Sequence, residues 1–118
     1  MPSKNPAQRL RDIAENIEAI RDFTSGMDVD IFVSSRRTTY AVTRALEIIS
    51  EASRRLPDDL KARHPALDWT AIAAVGNVYR HEYETVDDVL VWHTAKHSLD
   101  ALDTAVRAEL EQIGKLGD

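Results

Sequence analysis

Apolar residues recur along this chain at three- and four-residue steps, separated by short polar breaks, and that rhythm predicts helices throughout. Leu10, Ile13, Ile17 and Ile20 form one stripe, while Arg9, Arg11, Glu15, Glu18 and Arg21 occupy the other faces. A first helix is therefore expected from about Pro6 to Phe23, closed by Thr24-Ser25-Gly26, with Gly26 suited to the left-handed C′ position. A second helix starts between Asp28 and Ser35 and runs to about Leu56, on a stripe of Val42, Leu46, Ile49 and Leu56 flanked by Ala45 and Ala52. Pro57 stops it, because the residue before a proline avoids the α region. Pro57 to Arg63 then reads as a helical turn with proline at N1, followed by a connector, His64 to Leu67. Asp68 is the expected N-cap of a helix over about Trp69 to Tyr83. The last helix opens near Thr85, with Asp87 and Asp88 at its positive end. It runs to about Ile113 on a seam of Trp92, Leu99, Leu102, Val106, Leu110 and Ile113.

The expected fold class is all-α, a four- to five-helix up-down bundle in a single domain over residues 1–118. Seams this long exceed what one small core covers, so a homodimer is expected. Composition narrows the picture further. With 43% apolar and 30% charged residues the chain is globular, not disordered. No apolar run approaches the roughly 20 residues of a spanning helix, and Met1 to Pro6 lacks the apolar stretch of a signal peptide behind it. The absence of cysteine excludes disulfides and thiolate metal sites and fits a reducing cytoplasm. Fifteen basic against twenty acidic residues leave a net charge of −5. That balance argues against general nucleic-acid binding, which relies on a positive field, but a locally basic cleft can still hold a phosphodiester. It would also attract a partner with a basic face.

Gly76-Asn77-Val78-Tyr79-Arg80-His81-Glu82-Tyr83 is the segment in which chemistry concentrates. Asn77 and His81 are four apart and share a helical face. Histidine exchanges a proton near neutral pH without special tuning, and the guanidinium of Arg80 with the Asn77 amide can hold a phosphate beside it. This set suits metal-free RNA cleavage: a base takes the 2′-OH proton, the oxygen attacks the adjacent phosphorus, and a cation stabilises the charge on the non-bridging oxygens. The alternative is that His81 simply caps the negative end of its helix. His93 and His97 are also four apart, with Asp100 and Asp103 nearby, but Thr94 stands where the metalloprotease pattern needs a glutamate. Solvent-facing positions are the better reading there, and no metal or cofactor is expected. Arg36-Arg37 with Arg44, and Arg54-Arg55, form two basic clusters that either touch RNA phosphates or pair with Glu47 and Glu51. Trp69 and Trp92 are expected as core anchors.

His64 to Tyr83 resembles, without gaps, the central block of the HepT-like family of the HEPN superfamily. That block reads His-Pro, an aliphatic, Pro or similar, Trp, an Ile three on, then Arg-Asn, three residues, His, any residue and Tyr. Arg44 to Ala52 is similar to the family's second-helix signature, and Val86 to Trp92 to the start of its last helix, so the resemblance runs from about Leu10 to Leu110. It implies a dimeric helical bundle whose motifs face a shared cleft. It also implies a metal-independent endoribonuclease toxin acting on RNA and neutralised by a nucleotidyltransferase antitoxin of the MntA type. By the same resemblance His81 and Asn77 are motif residues, and Tyr83 is the position where the antitoxin can attach AMP.

One position departs from the pattern. The motif arginine falls at Gly76, which has no side chain to meet a phosphate and costs about 1 kcal/mol mid-helix relative to alanine. Arg80, one turn on, can supply the displaced charge, as can Arg36 or Arg37 across a dimer. The alternative is a weakened or inactive member kept as a helical binding protein.

Overall fold

The computed structural model describes residues 5–81 and 88–117, with residues 76–81, 116 and 117 described by their backbone alone. Seven helices account for most of those residues: α1 (Ala7–Phe23), α2 (Val29–Ser34), α3 (Arg36–Arg54), α4 (Asp58–Ala62), α5 (Trp69–His81), α6 (Asp88–His97) and α7 (Asp100–Gly117). No strand occurs among them, and no helix of the described residues is long and apolar enough to cross a membrane.

The stripes read from the sequence form the core. Leu10, Ile13, Ile17 and Ile20 of α1 meet Val42, Leu46 and Ile49 of α3, and α7 closes the layer with Leu102 and Val106; all are buried. Phe32 of α2 and Trp92 of α6 seal one end as a tilted ring pair with centroids 5.3 Å apart. α1 packs on α3 and α7, α5 runs back antiparallel along α3, and α6 bridges α2, α3 and α1.

The count exceeds the expected four to five because two long helices are broken. The second splits at Ser35, whose extended backbone (φ −104°, ψ 95°) leaves the helix while its hydroxyl accepts the Thr38 amide and starts α3. The last splits at Ser98-Leu99. There the buried Leu99 turns inward, and Arg21 from the end of α1 donates to Asp103 at 2.8 Å and Asp100 at 2.6 Å in the first turn of α7. This grip fixes α7 along α1 while α6 follows α2 and α3. Smaller differences concern the caps. Thr24 is the C-cap of α1, fully buried with its hydroxyl on the Ile20 carbonyl, and Gly26 takes the left-handed turn at φ 75° two residues later. Pro57 stands at the N-cap of α4, one place before the expected N1.

Candidate active site

α5 carries the motif segment, and its beginning is fixed from four directions. Asp68 accepts the Ala71 amide at 3.0 Å and caps the helix as its side chain predicts. The half-buried Trp69 indole donates to the Lys61 and His64 carbonyls at 3.1 and 3.2 Å, tying α5 to the end of α4. Ser50 of α3 donates to the Ile72 carbonyl at 2.8 Å, and Arg54 to the Ala73 carbonyl at 2.6 Å. These two carbonyls belong to the turn just before Gly76, so α3 grips α5 by its backbone where the motif begins.

The fourth restraint comes from α7. Glu109 is buried, and its carboxylate accepts from Arg63 Nε and Nη2 at 3.2 and 2.7 Å and lies 2.7 Å from His64 Nε2. The Arg63 guanidinium, aided by His64, holds the Glu109 carboxyl below its ordinary pKa against the opposing effect of burial. The segment that sets the direction of α5 is thus locked to α7. Sequence reasoning missed this clamp. The partners are 45 and 46 residues apart, and no local spacing signals such a pair.

Asn77, Arg80 and His81 all lie in the last turns of α5. At 100° per residue they fall within about 100° of arc, and Gly76 and Arg80 are one turn apart on a neighbouring line. The backbone therefore places the three on one helical face. Their side chains, and Tyr83 altogether, lie outside the described residues. Beside the first half of α5, a cleft of about 290 Å³ opens between Ile72 and Val75 on one wall, Leu46 and Ile49 on a second, and Leu99 and Leu102 on a third. Its walls are mainly apolar, and the charged group among its lining residues is the Asp68 carboxylate, so it suits no phosphate.

The other sequence candidates separate clearly. His93 and His97 stack with ring centroids 5.7 Å apart. Asp100 and Asp103 are both engaged by Arg21, and Asp103 also by Arg107 at 2.9 Å. Among the described residues no three His, Cys, Asp or Glu side chains converge as a metal site. Arg54 and Arg55 share Glu51 at 2.6 and 3.0 Å, which lowers the Glu51 pKa, and Arg44 sits 3.7 Å from Glu47. Arg36 and Arg37 make no such pair with a described residue.

Comparison with known proteins decides the lineage. A family model described as ribonuclease HepT-like matches residues 13–109, a span that runs from α1 through the whole of α5 and ends on the clamp residue Glu109. The chain belongs to the HepT-like family. A probable ribonuclease HepT of Thermococcus cleftensis is 41% identical over 79% of the chain and 84% of its own length. Two proteins of Methanocaldococcus jannaschii, both named as candidate RNases, are 32% identical over 98% of the chain, which covers 92% and 96% of their lengths. No solved structure matches significantly. The helical architecture agrees with the HEPN-like fold of this family, and Arg63, His64 and Glu109 all fall within the matched span.

Proposed function

We infer that the chain is a metal-independent endoribonuclease that acts as a toxin, and that a nucleotidyltransferase antitoxin of the MntA type neutralises it in the cytoplasm. The single observation that carries this reading is the match over residues 13–109 to a ribonuclease family, a span that includes His81. His81 takes the proton from a ribose 2′-OH. The 2′-oxygen bonds to the adjacent phosphorus, the bond from phosphorus to the 5′-oxygen breaks, and that oxygen receives a proton from the imidazolium. Arg80 stabilises the charge gathered on the non-bridging oxygens, and Asn77 orients the phosphate. A homodimer is supported by the exposed Ile31 and Val33 of α2 and Val89 and Leu90 of α6, apolar residues on two helices that pack together. AMP attached to Tyr83 would set a negative charge beside the motif and repel substrate phosphate; intact mass after incubation with the antitoxin and ATP tests it, and an unmodified Tyr83 rejects it.

His81→Ala is expected to lower cleavage of RNA in chelator-containing buffer at least 10²-fold, the scale of one lost catalytic group. Unchanged cleavage overturns the assignment. Gly76 at the motif arginine favours a second reading, a non-cutting binding protein. An inactive native chain that gains cleavage on Gly76→Arg would select it.

A further inference from the structure

Seven arginines among the described residues reach a carboxylate: Arg9, Arg21, Arg44, Arg54, Arg55, Arg63 and Arg107. In a chain of net charge −5 such pairing is the expected fate of a guanidinium. Arg11 donates to Gln8 instead, and Arg36 and Arg37, side by side in the first turn of α3, also depart from it: both are exposed, and neither has a carboxylate among the described residues. The Arg36 guanidinium lies instead 5.7 Å from the ring centroid of Tyr40, one turn on. Tyr40 is 65% exposed, more than any other large apolar or aromatic side chain of the described residues. Arg44 continues the same line by another turn, with 70% of its side chain exposed and a loose 3.7 Å pair to Glu47.

The outer face of α3 therefore presents cation, aromatic ring and cation at four-residue steps, a run of about 12 Å along the helix axis. Beside the ring lies a hollow of about 300 Å³ lined by Thr39, Tyr40, Thr43, Glu47 and Asp88. Its two carboxylates repel a phosphate, which leaves the phosphate contacts to the guanidiniums. Register sets this face level with the motif along the helix axis. With Ser50 opposite Ile72 in antiparallel helices of equal rise, the end of α5 at His81 comes level with about residue 41 of α3.

We propose that Arg36, Arg37, Tyr40 and Arg44 form the docking face for single-stranded RNA, with phosphates on the guanidiniums and one base stacked on the Tyr40 ring. This rests on the ribonuclease reading of α5 and names how that site receives its substrate. A stacked base with flanking cations is the usual solution for single strands, because every base has a π-face. Double-stranded RNA offers no free base, so it should bind this face weakly.

The experiment is fluorescence anisotropy of a labelled oligouridylate against His81→Ala protein, which removes cleavage from the readout. Arg36→Gln/Arg37→Gln is expected to weaken binding and to flatten the dependence of log affinity on log salt by about 1.4, at about 0.7 per phosphate on a single strand. Tyr40→Ala should cost about 5- to 150-fold in affinity, and Tyr40→Phe should keep it. All four side chains are exposed, and far-ultraviolet circular dichroism verifies folding. Unchanged affinity and salt slope in the double arginine variant overturns the proposal. So does loss of self-association by sedimentation with RNA binding intact, which would make this face a protein interface. Failure of His81→Ala to stop cleavage would reject the assignment of His81, and a 2′-O-methyl oligouridylate, which has no 2′-OH to attack the phosphorus, then carries the same binding test with the same outcomes.

Discussion

Glu109→Gln removes one charge and keeps the side chain's shape, so it isolates what the clamp contributes. The carboxylate is 11% exposed and takes part in two contacts at 2.7 Å and one at 3.2 Å. Hydrogen bonds to charged groups contribute about 1.5–3 kcal/mol each. Arg63 is 53% exposed, however, so water screens that side of the pair and much of its attraction is lost. A net loss of about 2 kcal/mol is the reasonable figure. Unfolding entropy of about 2.1 cal/mol/K per residue gives a chain of this length about 4 °C per kcal/mol, hence a fall of about 8 °C in Tm near pH 7. The pH dependence provides the decisive check. The Glu109 pKa is lowered in the folded state, so its contribution is fully present above the unfolded carboxyl value and is lost as pH falls through the folded one. Native protein and variant should therefore differ most near neutrality and converge in acid, where native Glu109 is protonated and resembles glutamine. Paired thermal melts from pH 7 to pH 3 measure this. A gap that persists unchanged at low pH would refute the electrostatic account and assign the loss to packing.

Two further outcomes concern one backbone grip and one turn. Ser50→Ala, by removing the bond to the Ile72 carbonyl, should lower Tm by about 4 °C, for a hydrogen bond of about 1 kcal/mol; it should reduce RNA cleavage more than that small loss would suggest, and an unaltered rate in a folded variant would show that α5 needs no such hold. Gly26→Ala meets no atom within 4 Å of the added Cβ, so only the left-handed backbone at φ 75° opposes it. A net cost of about 1 kcal/mol is expected, partly recovered by Gly26→Asn, and equal melting of all three proteins would contradict it.

Much of the fold is legible in the sequence, and the failures have a common cause. The stripes of α1 and α3 are dictated by burial at helical period, so reading Leu10 to Ile20 and Val42 to Leu56 recovers the core. Asp68 announces α5 because a cap is a local interaction. The break at Ser98-Leu99 is not announced: neither residue is a helix breaker, the apolar period continues across it, and Arg21, which grips the far side, comes from α1. The same holds for Glu109, which reads as one more acidic residue on a seam until Arg63 and His64 are brought to it. At the site, sequence locates Asn77, Arg80 and His81 on one helix but carries no trace of the α3 side chains that hold that helix.

Among the described residues α5 packs chiefly on α3, and the 290 Å³ cleft separates it from Leu99 and Leu102. A helix restrained at its start and packed along its length on one neighbour can open from its far end without the rest of the bundle unfolding. Its amides should therefore exchange with solvent deuterium through a local opening of lower free energy than the α1–α3–α7 body requires. Durability and turnover would then be set largely by different residues, and substitutions deep in α1 could stiffen the molecule while leaving its chemistry at the same rate.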